Sequence, residues 1–377
     1  MNNKWRYVPF TDVFDWCSKS NIGSREAVEN GKYKLFVASA TEIKRYNEFL
    51  ENGERIVFGT GGNPCIHYIN EAFSYTNHTE CARSKSEDVF VKFYYYYFQK
   101  DRYKDLQSTF VGGGIKNSSK KKIGSLFVPQ IDYDEQKRIV ARIEELFSEL
   151  DKSVETLKKT KAQLAVYRQA VLKEAFDSIA GCDEDYVQSI CDNIVDCPHS
   201  TPKWTQEGKI CLRTTNFKRG YLDLTEKNYV SEETFNTRNA RLIPQPGDVL
   251  YSREGAILGI ACIIPDNLYV CLGQRMMLLR TNSRMINKFL MYYLNSPRVT
   301  AYVASITGGS ASPHVNVGDI KNFKIPIPSI SKQIQLIEEI ESRLSVCDSI
   351  KTTVDTALQE AEAMRQSILK QAFEGRL

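Results

Sequence analysis

From Asp134 to Phe176 the chain contains neither Pro nor Gly, and apolar side chains recur at Ile139, Ile143, Leu146, Leu150, Val154, Leu157, Leu164 and Val171. Spacings of three, four and seven are those of a coiled-coil seam. A second run repeats the pattern with Ile337, Ile340, Leu344, Cys347, Ile350, Val354, Leu358, Ala361 and Ile368, and stops at Gly375. At 1.5 Å per residue each helix would extend about 60 Å, and a helix of that length needs a partner. The other copy is the nearest partner, laid antiparallel after the chain returns through the intervening residues. The alternative is two separate amphipathic helices, each packed on its own domain.

The segments preceding the two runs are rich in Gly, aromatic and β-branched residues with short alternation. Arg55-Ile-Val-Phe58, Asp248-Val-Leu-Tyr251 and Ile260-Ala-Cys-Ile-Ile264 predict strands, bounded by turn signals such as Pro246-Gly247 and Pro265-Asp-Asn267. Dense apolar and aromatic stretches predict a helix from about Phe90 to Gln107 and another from Met285 to Val303.

Self-similarity organises the whole chain. Tyr167-Arg-Gln-Ala-Val-Leu-Lys-Glu-Ala-Phe176 returns as Met364-Arg-Gln-Ser-Ile-Leu-Lys-Gln-Ala-Phe373, identical at six of ten positions with an offset of 197. The same offset places Val128-Pro129 on Ile325-Pro326, Gln136 on Gln333 and Ile143 on Ile340. After one slip, Lys92-Phe93 and Tyr97 fall on Lys288-Phe289 and Tyr293, and Gly112-Gly113 on Gly308-Gly309. A looser match sets Val57-Phe58-Gly59-Thr60-Gly61-Gly62 against Leu250-Tyr251-Ser252-Arg253-Glu254-Gly255. The chain is a duplication whose N-terminal parts have diverged most.

At 377 residues, with 42% hydrophobic and 25% charged side chains, the chain has the composition of a globular protein of two to three folding units. No stretch approaches the roughly 18 apolar residues of a membrane span, and Met1 to Phe10 lack the apolar core of a signal peptide, so a cytoplasmic location without membrane contact is expected. Ten scattered cysteines without CxxC pairing predict reduced, mostly buried thiols. The net charge of +4 is unevenly spread. Residues 1–130 carry 19 basic and 14 acidic side chains and residues 181–328 carry 16 and 14, whereas 131–180 and 329–377 are slightly acidic at 9 against 10 and 6 against 8. A basic excess on the two globular parts suits a polyanionic partner.

Candidate catalytic chemistry fails at each place it could begin. Gly31-Lys32 lacks the upstream glycine spacing of a P-loop, and Tyr33 stands where a hydroxyl should meet magnesium; a surface turn is the better reading. Asn63-Pro64-Cys65 lacks the second Pro and the aromatic of the adenine-methyltransferase element. Cys191, Cys197 and His199 fit no standard zinc spacing. Asp134-Glu-Gln-Lys137 contains a nuclease-like Glu-x-Lys, but it opens the first long helix, where Asp134 as N-cap and acidic first-turn charge suffice. Binding, with no metal and no cofactor of its own, is the expected work.

Two variable domains, each followed by a long helix, resemble the specificity subunit of type I restriction-modification systems. The most specific element is Ile325-Pro-Ile-Pro-Ser-Ile-Ser-Lys-Gln-Ile-Gln-Leu-Ile337, similar to the family's strand-to-helix junction of hydrophobic-Pro-Leu-Pro followed by Glu-Gln; Lys332 takes the Glu place. The first copy, Val128-Pro-Gln-Ile-Asp-Tyr-Asp-Glu-Gln-Lys-Arg-Ile139, keeps Glu-Gln and loses the second Pro. Val195-Asp-Cys-Pro-His-Ser-Thr-Pro202 and Pro246-Gly-Asp-Val-Leu-Tyr-Ser-Arg-Glu-Gly255 look like the family's target-recognition patterns, with Gly59-Thr-Gly-Gly-Asn63 as a looser first-domain version. The resemblance implies an α+β fold with target-recognition domains at 1–132 and 180–329, separated by an antiparallel pair of long helices at 133–179 and 330–377. It further implies that each domain reads half of a bipartite double-stranded DNA site and that the helices set the gap. The helices would also dock two modification subunits, which methylate adenine N6 with S-adenosylmethionine. Two restriction subunits using ATP and Mg would complete the assembly. The competing expectations are a coiled-coil scaffold without DNA selectivity and the remnant of a fused methyltransferase-nuclease.

Bases are read by bidentate polar side chains and phosphates by basic or backbone groups. On that ground the candidate DNA contacts of the first domain are Thr60, Gly62, Asn63, Lys116, Asn117, Ser118, Lys120 and Lys121. Those of the second are His199, Ser200, Thr201, Lys203, Ser252, Arg253, Gly255, Arg275, Ser310, Ser312 and His314. Each has a structural alternative: Gly62 and Gly255 as chain turns, His199 as a turn cap, Lys120 to Lys122 as a solvated helix start.

Overall fold

The computed structural model describes residues 5–255, 257–308 and 313–377. Five helices of eight or more residues are α1 (Val91–Gln99), α2 (Tyr133–Asp177), α3 (Asn287–Leu294), α4 (Pro297–Thr307) and α5 (Ile330–Phe373) among the described residues. Met1–Lys158 together with Asp355–Leu377 form one unit, and Lys159–Val354 form the other. Each long helix is therefore divided between the units.

Within the first unit the start of α2 and the end of α5 run antiparallel: Arg138 donates to the Leu377 carbonyl at 3.4 Å, and Asp151 pairs with Arg365. The second unit repeats the arrangement with Arg168 on Asp348 and Glu174 on Arg343, the latter at 2.9 Å. The 197-residue offset carries Asp151 to Asp348 and Arg168 to Arg365, so one ion pair occurs twice with its partners exchanged between helices.

The helix ends do more than pair. Ile139, Val140, Ile143 and Phe147 share the core of the first unit with Leu369, Ala372 and Phe373. In the second unit Val171, Leu172, Ala175 and Phe176 share a core with Leu336, Ile337 and Ile340. Phe373 meets Phe93 and Tyr97 edge-on, and Phe176 meets Phe289 and Tyr293 in the same way. Each helix thus starts on the repeat that precedes it and ends in the core of the other repeat, which excludes two helices each confined to its own domain. Not every seam position is covered: Ile350 is exposed.

The first unit builds two sheets from β1 (Phe14–Trp16), β2 (Tyr33–Phe36), β3 (Ile43–Tyr46), β4 (Glu54–Gly59), β5 (Cys65–Asn70), β6 (Phe73–Tyr75) and β7 (Thr79–Ser84). One is antiparallel in the order β1-β7-β4-β5; the other runs β3-β2-β6, with β2 and β6 parallel. In the second unit β8 (Cys191–Asp196), β9 (Lys209–Leu212), β10 (Val249–Ser252), β11 (Ala261–Ile263), β12 (Val270–Leu272) and β13 (Met276–Thr281) repeat this plan. Their orders are β8-β13-β10-β11 and, with two short strands added, a sheet in which β9 and β12 are parallel. In both units a short strand before the first sheet, Arg6–Pro9 or Glu184–Tyr186, pairs antiparallel with the Pro-containing strand before the long helix, Phe127–Gln130 or Lys324–Pro326.

Repeat-related Gln136 and Gln333 explain the strand-to-helix junction. Both side chains are buried, at 1% and 0% exposure. Gln136 Oε1 accepts the Phe90 amide at 2.8 Å while its Nε2 donates to the carbonyls of Asp88 and Ile131. Gln333 Oε1 accepts the Ile286 amide at 2.8 Å and its Nε2 donates to Arg284 and Pro328. One buried amide satisfies three backbone groups that would otherwise be stranded between two loops and a helix start.

Three expectations are corrected. The helix expected over Phe90–Gln107 ends at Gln99, because Asp101, Arg102 and Tyr103 adopt left-handed backbone angles before a short turn at Lys104–Gln107. Gln366 of α5 accepts the Arg102 amide at 3.0 Å, a distant contact that holds the break. The Met285–Val303 helix is two, since Pro297 opens α4 and drives Ser296 to extended angles. Finally, α2 is capped by Asp132 rather than Asp134: the Asp132 carboxylate accepts the Asp134 amide at 3.1 Å.

All ten cysteines are free thiols, nine of them buried. Among the described residues no helix is long and apolar enough to cross a membrane.

Candidate nucleic-acid interface

In the first unit the β4–β5 hairpin turns directly after Gly59, where an added Cβ would collide with the Cys65 sulfur. The Thr60 amide and hydroxyl then both donate to the His78 carbonyl, at 2.9 and 2.8 Å. A distant loop clamps the turn: the Gly62 amide donates to the Lys116 carbonyl at 3.0 Å and the Ser118 amide to the Thr60 carbonyl at 2.8 Å. Gly62 sits at φ +79°, a region that side-chain-bearing residues reach only with strain. Six residues from two segments, Thr60, Gly62, Asn63, Lys116, Asn117 and Ser118, are thus brought together. Gly62, Asn63, Lys116 and Asn117 are exposed, whereas Thr60 and Ser118 are half-buried and hydrogen-bonded to the protein. Beside them opens a cavity of about 520 Å³ whose lining includes Ser39, Lys44, Thr76, His78 and Asn117.

Lys120 does not belong to this surface. Its ammonium donates to the Cys17 carbonyl at 3.0 Å, lies 3.3 Å from Glu80 and faces the Trp16 ring, so it ties a short helix to the first sheet. Lys121 beside it is exposed.

The second unit uses the same device. Gly255, at φ +83°, donates its amide to the Pro313 carbonyl at 3.1 Å, and Val315 returns one to Arg253 at 2.8 Å. Arg253 donates to Arg275 as Thr60 does to His78. The match equates Thr60 with Arg253 and Gly62 with Gly255, as the loose alignment of the two segments requires. Around this turn stand His199, Ser200, Thr201, Arg275 and His314, all exposed; Lys203 is exposed as well. Ser310 and Ser312 lie outside the described residues.

Arg253 and Ser252 are corrected by the structure. Arg253 is only 5% exposed, and its guanidinium holds Asp196 through Nε at 2.9 Å and Nη2 at 3.3 Å, and Glu254 at 3.0 Å. A guanidinium already committed to two carboxylates has no free fork for a guanine. Ser252 is fully buried and closes a two-way bond with Ile260. Asp196 also takes His199 Nε2 at 2.9 Å, so Arg253 positions an exposed histidine through a shared carboxylate.

Two residues that the sequence pattern does not single out shape the same loops. Arg238, 7% exposed, donates to the carbonyls of Pro198, Ser200, Leu272 and Gly273. Gln274 reaches the His199 carbonyl, and its amide oxygen accepts the Thr201 hydroxyl at 3.4 Å. The loop 198–201 is thereby fastened to the turn carrying Arg275. Neither residue lies in a recognisable motif, and their partners are tens of residues distant.

Cys191 and Cys197 lie in different cores. Burial pushes the Cys191 thiol up to about 12, and the Cys197 sulfur accepts the Met276 amide. Among the described residues no three His, Cys, Asp or Glu side chains are grouped to hold a metal.

The type I restriction modification DNA specificity domain family matches residues 2–164 and again 199–360. The EcoBI specificity subunit of Escherichia coli is 24% identical over 328 residues, covering 80% of this chain and 69% of that protein. The EcoKI specificity subunit of Escherichia coli strain K12 is 21% identical over 310 residues, covering 77% and 66%. The chain spans about two thirds of the length of these curated relatives. A chain in a solved structure concerned with complex assembly and conformational transition of the type I R-M system shares the fold, with a TM-score of 0.74 at 17% identity over the full length of both. With two matches spread over most of its length, on the two halves of an internal duplication, the chain belongs to the type I restriction modification DNA specificity domain family.

Proposed function

We propose that this chain is the sequence-reading subunit of a type I restriction-modification complex, each unit reading one half of a bipartite double-stranded DNA site. The observation that carries the reading is the loop cluster built twice. The same pair of backbone hydrogen bonds sets exposed Gly62, Asn63, Lys116 and Asn117 in one unit, and Gly255 among His199, Ser200, Arg275 and His314 in the other. Polar and basic groups held on a rigid turn at the end of a sheet suit contact with base edges and phosphates.

In this reading the chain performs no reaction. Adenine methylation resides in two modification subunits that bring S-adenosylmethionine, and DNA cleavage in restriction subunits that use ATP and Mg. The long helices α2 and α5 set the gap between half-sites and offer the docking surface for the modification subunits. Methylation-aware sequencing of host DNA with and without this gene tests the proposal. One bipartite adenine-methylation motif should disappear with the gene; a methylome unchanged in a host whose modification subunits are active would refute it.

A further inference from the structure

The first unit carries a highly exposed apolar side chain in a loop that also presents polar and basic groups. Ile115 is 77% exposed, more than any other large apolar residue among the described residues. It ends the segment Val111-Gly-Gly-Gly-Ile115 and lines the 520 Å³ cavity with Lys44, Gly61, Gly62, His78 and Asn117. A single exposed isoleucine is ordinary on a protein surface. What sets this one apart is how firmly its backbone is held.

Val111 and Asn117 exchange both backbone hydrogen bonds at 3.0 Å, closing the base of the loop. The Asn117 side-chain amide donates to the Ile115 carbonyl at 3.0 Å, and the next carbonyl, that of Lys116, takes the Gly62 amide. Ile115 is therefore fixed beside the exposed Asn63, Lys116 and Asn117, the residues assigned above to DNA. Exposed Lys116 and the polar Asn63 and Asn117 beside an apolar group suit a nucleic-acid surface. In the major groove the apolar feature presented to a protein is the C5 methyl of thymine.

We propose that Ile115 is a specificity-determining residue that packs on the C5 methyl of one thymine in the half-site read by the first unit. The inference rests on the DNA-reading function proposed above and goes beyond it by naming a side chain and a chemical group. Neighbouring Lys116 and Asn63 supply charge and hydrogen bonds; Ile115 supplies discrimination of thymine from cytosine, which lacks the methyl group.

The test uses the full chain copurified with its modification subunits and duplexes carrying the site found by methylome sequencing. Each thymine of both half-sites is replaced in turn by uracil, which removes only the methyl group. One replacement should weaken binding by wild type about fourfold, the effect of one methyl group returned to water. Ile115→Ala should bind the thymine duplex more weakly and be indifferent to that replacement, while Ile115→Val retains the sensitivity. Since Ile115 is exposed, all three proteins should melt together. If no uracil replacement affects wild type, or if Ile115→Ala loses as much as wild type does, the inference is overturned while the DNA-reading function stands. Failure of wild type to prefer the site over a scrambled duplex would sink both.

Discussion

Arg253 offers the sharpest separation between a residue that reads DNA and one that builds the reader. Its position in a Gly-flanked turn suits base contact, and truncation of a bidentate base-reading arginine costs about 1–3 kcal/mol of binding at one base position. The structure predicts a different outcome for Arg253→Ala. Removing the guanidinium leaves Asp196, whose side chain is only 16% exposed, with the exposed His199 as its remaining side-chain partner, while Glu254, at 29%, can turn toward water. Breaking a fully buried pair costs about 3–5 kcal/mol, and the partial exposure of both carboxylates places this case near the lower end, at about 3 kcal/mol. For a unit of this size that corresponds to a melting temperature lower by roughly 6–12 °C. His199 keeps its carboxylate but loses the anchored geometry, so recognition should weaken across the half-site read by the second unit rather than at one base. Arg253→Lys keeps charge without the fork and should cost about half as much. Thermal melts of the full chain, paired with methylome sequencing of cells carrying each variant, measure both quantities. A variant Arg253→Ala that melts within about 1 °C of wild type and relaxes a single base position would show that the guanidinium reads DNA after all.

Two further outcomes are expected. Gln333→Ala should destabilise the second unit by about 2–3 kcal/mol, because the Ile286 amide and the Arg284 and Pro328 carbonyls lose their buried partner; Gln136→Ala should do the same to the first, and urea midpoints unchanged in both variants would contradict the role given to these amides. Burial raises the pKa of Tyr251 well above the ordinary tyrosine value near 10, so the folded state holds the phenol neutral while the unfolded chain ionises it. Its contribution is therefore intact below about pH 10 and falls above it by roughly 1.4 kcal/mol per pH unit. Tyr251→Phe should leave stability at pH 7 nearly unchanged, since the buried hydroxyl has no hydrogen-bond partner among the described residues, and should flatten the alkaline decline. Equal alkaline slopes for the two proteins in denaturation series from pH 9 to about pH 11 would exclude this.

What was legible in the sequence is what depends on neighbours along the chain or on the repeat. The Pro- and Gly-free run from Asp134 to Phe176 lies within a residue of α2 at each end, and Gly375 marked the stop of α5. The looser match of Thr60 to Gly62 with Arg253 to Gly255 anticipated a structural equivalence borne by identical backbone hydrogen bonds. Even the Gln136 and Gln333 match was visible, although its purpose, a three-way bond that includes two groups in a loop 46 to 49 residues away, was not.

The amino-acid sequence by itself determined the duplication, the two long helices and the polar turns between strands, because periodicity, helix-breaking residues and turn chemistry act over a few residues. Tertiary structure alone decided which charges are offered to a partner. Arg275 is exposed and Arg253 is buried within the same loop cluster, because Asp196, 57 residues upstream, arrives beside one and not the other. Lys116 faces solvent while Lys120 is held by Cys17 and Glu80. The left-handed break at Asp101–Tyr103 likewise depends on Gln366, and the Pro198–Thr201 loop on Arg238. A side chain's charge is written in the sequence; whether that charge is free depends on partners that only folding brings into contact.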